Sequence, residues 1–538
     1  MSEIESLSVF ESCTAQYTTA ELDNLLQCIS DGSAEATAAA AQDISTGLDH
    51  FYLIYAGALV FFMQLGFAML CAGSIRAKNV KNVLLWNLMD SCGGGLAFWV
   101  TGYAFAYGGE DDSPTWTFIG YKNFFLMGDD VNLSYWFFQF AFACAVSSIV
   151  AGTIAERTQM KGYLFYSLFL VGFVYPVVAH AFWSTNGFLA NTNAEPLWNS
   201  GAIDFAGSGP VHMLGGVTAL MAAIVLGPRL GRFHDDDGQI LEVPNDIPGH
   251  STPLAILGTF ALWFGWYGFN PGSTFSASTA VAGEVAALVA VNTTLAAAAG
   301  AISAMFTSTY FNYRIEGVHT YDVAYTMNGL LTGLVAITAP CASVDSWAAV
   351  VIGIVAGWAY LAGSKLLVKL RIDDAVDAIP VHLVGGMWGL IAAGLFSTPE
   401  LLEKAYGQSE HVGWFYEWGR GSGNFTLIGT QLIGILFIFG WTTAIMYPFF
   451  WLLNVFGSLR VDPMEEHAGM DISRHNGSGY IIEKQDKLLD ASTSLHQRRS
   501  IALALKTTEK AATEPDAVAA VDNGGSKEPK TETAEVEA

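Results

Sequence analysis

The sequence predicts an all-α polytopic membrane protein, and three observations carry that expectation. Of 538 residues, 52% are hydrophobic and only 14% are charged, against about 25% charged in soluble domains. Eleven windows of about 20 apolar residues are long enough to cross the hydrocarbon core of a bilayer. The third observation is a repeat: PVHMLGG at Pro210 to Gly216 returns as PVHLVGG at Pro380 to Gly386, each inside an uncharged stretch. The copies lie in the fifth and the tenth window, an odd number of places apart, so the helices bearing His212 and His382 run in opposite directions, as the halves of an inverted repeat must.

The windows fall, in order, at Phe51 to Cys71, Val83 to Tyr107, Tyr135 to Ile154, Tyr163 to Trp183 and Val211 to Leu226, then at Pro253 to Asn270, Val281 to Phe306, Val323 to Thr338, Trp347 to Leu367 and Ile379 to Phe396, with a last one at Leu427 to Phe456. The expected organisation is an N-terminal segment over 1–48 and an eleven-span body over 49–458. That body divides into a first five-helix repeat over about 49–227, a second over about 252–397 and one extra span over about 425–457. An ordered segment over 459–485 and a disordered tail over 486–538 complete the chain.

Eleven spans put the termini on opposite sides, and basic residues are retained on the cytosolic side. One set of loops collects Arg76, Lys78, Lys81, Arg157, Lys161, Arg229, Arg232, Arg314, Lys365, Lys369 and Arg371; the alternate set holds Lys122, Lys404 and Arg420. The N-terminus is therefore expected outside and the C-terminus in the cytosol. The net charge of −25 belongs to ends and loops and points to no nucleic-acid partner. The start MSEIESLSVF has neither a basic nor an apolar run, so the first span is expected to act as its own signal.

Cys71, Cys92, Cys144 and Cys341 lie in or beside spans and read as small buried hydrophobes. Cys13 and Cys28 fall on the expected exterior, where oxidation is permitted, so a bridge between them or between subunits is open; spacing alone does not fix connectivity. The sequons at Asn132 and Asn424 hug span ends and are discounted as glycosylation sites.

An ionisable side chain inside the membrane costs about 2.5 kcal/mol or more when charged, and so is by default a functional hypothesis. His212 and His382 read either as neutral packing residues bonded to backbone or as a donor and acceptor row that passes a proton. The Gly-Gly after each His lets helices approach closely. A His pair is also a haem ligand set, but haem needs a wide planar cavity, and tight helix contact argues against it; no cofactor is expected. Asp204 opens the span that carries His212, where a carboxylate caps free N–H groups. His180 reads as structural. Asp90, Glu156, Glu284 and Asp322 are placed at or near span ends as caps or loop ties.

The stretch DFAGSGPVHMLGGVTALMAAIVLGPRLGR, Asp204 to Arg232, closely resembles the signature of the ammonium transporter family (Amt/Mep/Rh). So do FQFAFA from Phe138, AGTIAER ending at Arg157, YPVVAHAFW ending at Trp183, GWYGFNPGS ending at Ser273, NGLLTGLVAIT from Asn328 and GMDISRH from Gly469. The resemblance runs from about Asp49 to Tyr480, and the GWYGFNPGS and GMDISRH forms are similar to the plant-type branch.

That resemblance implies a plasma-membrane ammonium transporter, not an enzyme, assembled as a homotrimer with one pore per subunit. It puts Trp183, Ser273, Phe142 and Asp204 in an external recruitment site, where a ring face and a hydroxyl hold a monovalent cation. It puts Phe142 and Phe269 below them as a pore gate, and His212 and His382 at the pore centre as a proton relay. Leu383 stands where many relatives have Gly. Implied partners are ammonium or ammonia, methylammonium, membrane lipid, and a kinase acting on Ser473 in a tail segment that packs on the neighbouring subunit. An ammonium sensor and a Rhesus-like ammonia gas channel are the alternatives, and the pair Trp183 and Ser273 argues against the second.

Overall fold

Backbone polar groups in hydrocarbon must be satisfied within the chain, which a helix does segment by segment. The computed structural model describes residues 22–109, 116–129 and 131–480, together with residue 14. Among the described residues there is no strand, only isolated bridges. The described residues form eleven helices of 15 residues or more, in order: α1 Leu22–Ser74, α2 Ala77–Tyr107, α3 Leu133–Thr153, α4 Met160–Trp183, α5 Ser208–Leu226, α6 Thr252–Gly272, α7 Ala280–Glu316, α8 Val323–Ile337, α9 Ser346–Lys369, α10 Ile379–Phe396 and α11 Thr426–Val455.

Every expected window falls on one of these helices. Nine of the eleven are long and apolar enough to cross a membrane. The exceptions are α8, which has 15 residues, and α6, whose Trp, Gly and Asn content dilutes its apolar character.

The first expected boundary is displaced. A helix of 53 residues is about 80 Å long, more than twice the hydrocarbon thickness, and the 48/49 boundary falls inside α1. Cys28 lies on this extension and is disulfide-bonded; Cys13 lies outside the described residues. Cys71, Cys144 and Cys341 are buried and free, whereas Cys92, expected to be buried, is free and exposed. Residues 481–538, where the end of the ordered segment and the tail were expected, also lie outside the described residues.

Helix seams depend on small residues. A Cβ on Gly258 in α6 would lie 2.2 Å from the Leu70 backbone nitrogen of α1, so only glycine permits this approach.

A buried ion cluster gathers residues from loops that the charge pattern grouped together. Arg229 contacts both Glu156, at 3.2 Å, and Asp373, at 2.8 Å. Arg76 meets Glu156 at 2.8 Å. Glu156 sits in the left-handed region at φ 73, a strained position for a residue with a Cβ. The segment after α11 attaches at the same end: Arg460 pairs with Glu466 at 2.9 Å, and Glu466 Oε1 accepts from Leu230 N.

Asp90 corrects the expectation of a span-end cap. It lies near the middle of α2, fully buried. The window boundaries rested on hydropathy alone, which cannot show that three hydroxyls from other helices reach this carboxylate.

Candidate functional site

Both histidine repeats adopt the same local structure. Ser208–Met213 and Ile379–Val384 are π-helical turns, and each runs straight into an α-helix. A π turn is a costly irregularity that concentrates at functional positions. The glycines after each histidine make the two helices cross. A Cβ on Gly216 would lie 2.3 Å from Leu383 N, and one on Gly386 would lie 2.4 Å from Ser208 O. Each glycine therefore admits backbone of the opposite repeat, and Leu383 supplies part of that surface.

The crossing brings the imidazoles together. His382 Nδ1 and His212 Nδ1 are 3.2 Å apart, with rings inclined by 21°. His212 is wholly buried and His382 is 5% exposed. A bond between two ring nitrogens holds one proton, which either ring can carry. His212 Nε2 is buried with no partner, so the remaining hydrogen-bonding capacity of this ring is not taken by protein.

Aromatic rings stack on this pair. Phe269 lies 5.4 Å from the His212 ring, and Phe142 lies 3.9 Å from Phe269 at an interplanar angle of 20°. Trp266 also stacks on His212, at 5.2 Å, and its Nε1 donates to Thr338 Oγ1. Sequence reasoning missed Trp266. Its signal was its place in GWYGFNPGS, one helical turn before Phe269 and on the same face.

Beyond the Phe pair a cavity of about 390 Å³ is lined by Trp183, Asp204, Ser273 and Tyr406, among others. Trp183 meets Phe142 edge-on at 6.1 Å, and its Nε1 donates to Asp204 O at 2.8 Å. Ser273 Oγ donates to Phe269 O at 2.9 Å, which leaves its lone pairs as acceptors. Gly207, at φ 110, turns the chain beside Trp183, where a Cβ would lie 3.0 Å from the indole.

Asp204 caps the turn that leads to His212. Its Oδ1 accepts from Gly207 N and Ser208 N at 2.7 and 3.0 Å, and Oδ2 accepts from Gly209 N at 2.6 Å. His180 bonds Ala106 O and Thr117 Oγ1 and takes no place in the cavity.

Ser473 lies in the short helix Met470–Arg474, and its Oγ donates to Gly469 O at 2.9 Å. This segment is seated on its own chain, where Asp471 accepts from Lys81 N and Asn82 N at the start of α2.

The model of the Ammonium Transporter Family matches residues 51–480. Ammonium transporter 1 member 1 of Arabidopsis thaliana is 44% identical over 438 residues, 78% of this chain and 82% of that protein. Its namesake in Oryza sativa subsp. japonica is 40% identical over 459 residues, 83% of this chain and 88% of that protein. Among solved structures, a sensor Amt protein superposes with a TM-score of 0.68 at 33% identity, covering 80% of this chain and 99% of its own. Saccharomyces cerevisiae Mep2 gives 0.66 at 26%, covering 77% and 87%. With that coverage and that identity, the chain belongs to the Ammonium Transporter Family.

Proposed function

We propose that this protein is a channel-like ammonium transporter of the plasma membrane, with eleven crossings in two inverted repeats plus one span, the N-terminus outside and the C-terminus cytosolic, working as a homotrimer with a pore in each subunit. Ammonium enters the cavity lined by Trp183, Ser273 and Asp204, where Phe142 meets Trp183 edge-on. Ring faces attract the cation without forming a deep charged trap. Charge cannot follow cheaply, because a bare ion in an apolar constriction loses its hydration without compensation. Ammonium therefore releases its proton at the Phe142 and Phe269 gate, and ammonia passes His212 and His382. The imidazole pair carries the proton. Hydrated potassium and sodium have no proton to release and are refused.

The observation that carries this reading is the Nδ1 to Nδ1 contact of 3.2 Å between two buried imidazoles, with stacked phenylalanines on one side. Two-electrode recording in oocytes tests it, with ammonium varied at several external pH values. The reading expects a current that saturates with ammonium concentration; a flux that follows ammonia concentration would favour the gas-channel alternative. Methylammonium is the expected second substrate. The cytosolic segment with Ser473 is the regulatory element, and a kinase is its partner.

A further inference from the structure

Asp90 is a carboxylate in the middle of a spanning helix that the pathway above does not use. Its Oδ1 accepts from Ser167 Oγ at 2.7 Å, and its Oδ2 accepts from Tyr163 Oη at 2.5 Å and from Ser148 Oγ at 3.3 Å. The titratable groups that face it are Tyr163 and Tyr166 from α4, Cys144 from α3 and Cys71 from α1. None is basic, and among the described residues no ion pair includes Asp90. An uncompensated buried charge is unfavourable, and an ionisable group in a span marks a pathway by default. Helix stitching alone would be served as well by an uncharged amide.

Ser148 joins this carboxylate to the pore. A cavity of about 20 Å³ is lined by both Ser148 and His382, and about 10 to 15 Å³ suffices for one water molecule. The Ser148 hydroxyl has one hydrogen but three acceptors within reach: Gln64 Oε1 at 2.7 Å, Cys144 O at 3.2 Å and Asp90 Oδ2 at 3.3 Å. When that hydrogen points to Gln64, the serine oxygen is free to accept from a protonated Asp90. Gln64 Nε2 is buried without a partner, an unmet donor in the same network that calls for a small acceptor such as water.

We propose that Asp90 is a proton-binding site on a branch of the pore, filled and emptied through Ser148 and the one-molecule cavity beside His382. This inference rests on the deprotonation of ammonium proposed above. The proton leaves ammonium, which becomes ammonia. It passes by the imidazole pair, the cavity occupant and Ser148, and the carboxylate becomes a carboxylic acid. No electrons move, and the return step reverses each transfer.

Infrared difference spectroscopy on full-length protein in proteoliposomes tests the proposal, with ammonium added or withheld at fixed pH. Wild type should gain a protonated-carboxyl carbonyl band with ammonium. Asp90→Asn should lose it, and Ser148→Ala, which keeps the carboxylate, should lose or delay it. A band that persists in Asp90→Asn belongs to another group and overturns the proposal. If Asp90→Asn fails to fold, Ser148→Ala carries the test, and a band appearing there at the wild-type rate also overturns it. Ammonium current in wild type without any such band overturns the proposal while leaving the transport reading intact. Absence of the current itself instead defeats the carriage of the proton through the pore on which the proposal rests.

Discussion

Asp204 engages both carboxylate oxygens with three backbone N–H groups, so asparagine is not a silent replacement. An amide keeps one acceptor and turns a donor toward Gly209 N, leaving a buried clash of donors worth about 1 to 3 kcal/mol. We expect Asp204→Asn to reach the surface folded yet lose flux, and Asp204→Ala to lose both. Surface biotinylation beside methylammonium uptake separates the roles, and full flux in the Asn protein would leave capping as the whole of its task. Trp183 lines the cavity and bonds Asp204 O through Nε1. Removing a cation–π surface forfeits about 0.5 to 2 kcal/mol, which is about two- to thirtyfold in affinity. Trp183→Leu should therefore raise the ammonium concentration for half-maximal current by that factor, with less effect at saturation. An unchanged dose dependence would return Trp183 to the ordinary aromatic belt.

Between elements, the ion cluster and the segment after α11 tie together the same ends of several helices. Burial pulls the carboxyls of Glu156 and Asp373 upward, but Arg76, Arg229 and Arg157 override it and hold both below the ordinary carboxylate range. Depressed carboxyls stabilise the fold fully above their unfolded values of about 4, and that contribution is lost as pH falls through the lower folded values. Thermal melts of detergent-purified protein should therefore drop only below about pH 4, and Arg229→Ala should lower the melting temperature at neutral pH by leaving Glu156 to Arg76 alone and Asp373 to the longer contacts with Arg157 and Arg232 at 3.9 and 3.7 Å. A melting temperature indifferent to both would contradict the role given to this cluster. Ser473 stands two residues after Asp471, which caps α2. A phosphate there brings about −1.5 to −2 charges beside Asp471 and Glu465 and should unseat the segment. Ser473→Asp should suppress uptake at normal surface levels, Ser473→Ala should keep it, and co-expression of the Asp form should depress the wild type. Wild-type flux through Ser473→Asp would show that the position is no switch.

Across the whole molecule, the sequence disclosed most where one stretch carries its own signal. The eleven windows are local in composition, and the duplicated PVH motif puts two histidines in one frame without any alignment. Long-range partners were hidden. Asp90 looked like a cap because its hydroxyl partners at Ser148, Tyr163 and Ser167 lie 58 to 77 residues away. Trp266 looked like one aromatic among many, since aromatics make up 13% of the chain and most belong to belts or core. The extent of α1 was illegible for the opposite reason, because its first half is polar and carries no membrane period. In the function proposed, apolar closure around two coupled imidazoles makes the pore pass ammonia and a proton separately. The most direct test is the His212→Ala and His382→Ala double variant, recorded for ammonium and potassium currents in the same oocytes. Loss of the relay predicts reduced ammonium transport or an opened path for potassium, whereas ammonium uptake and potassium exclusion both left at wild-type values would contradict the claim.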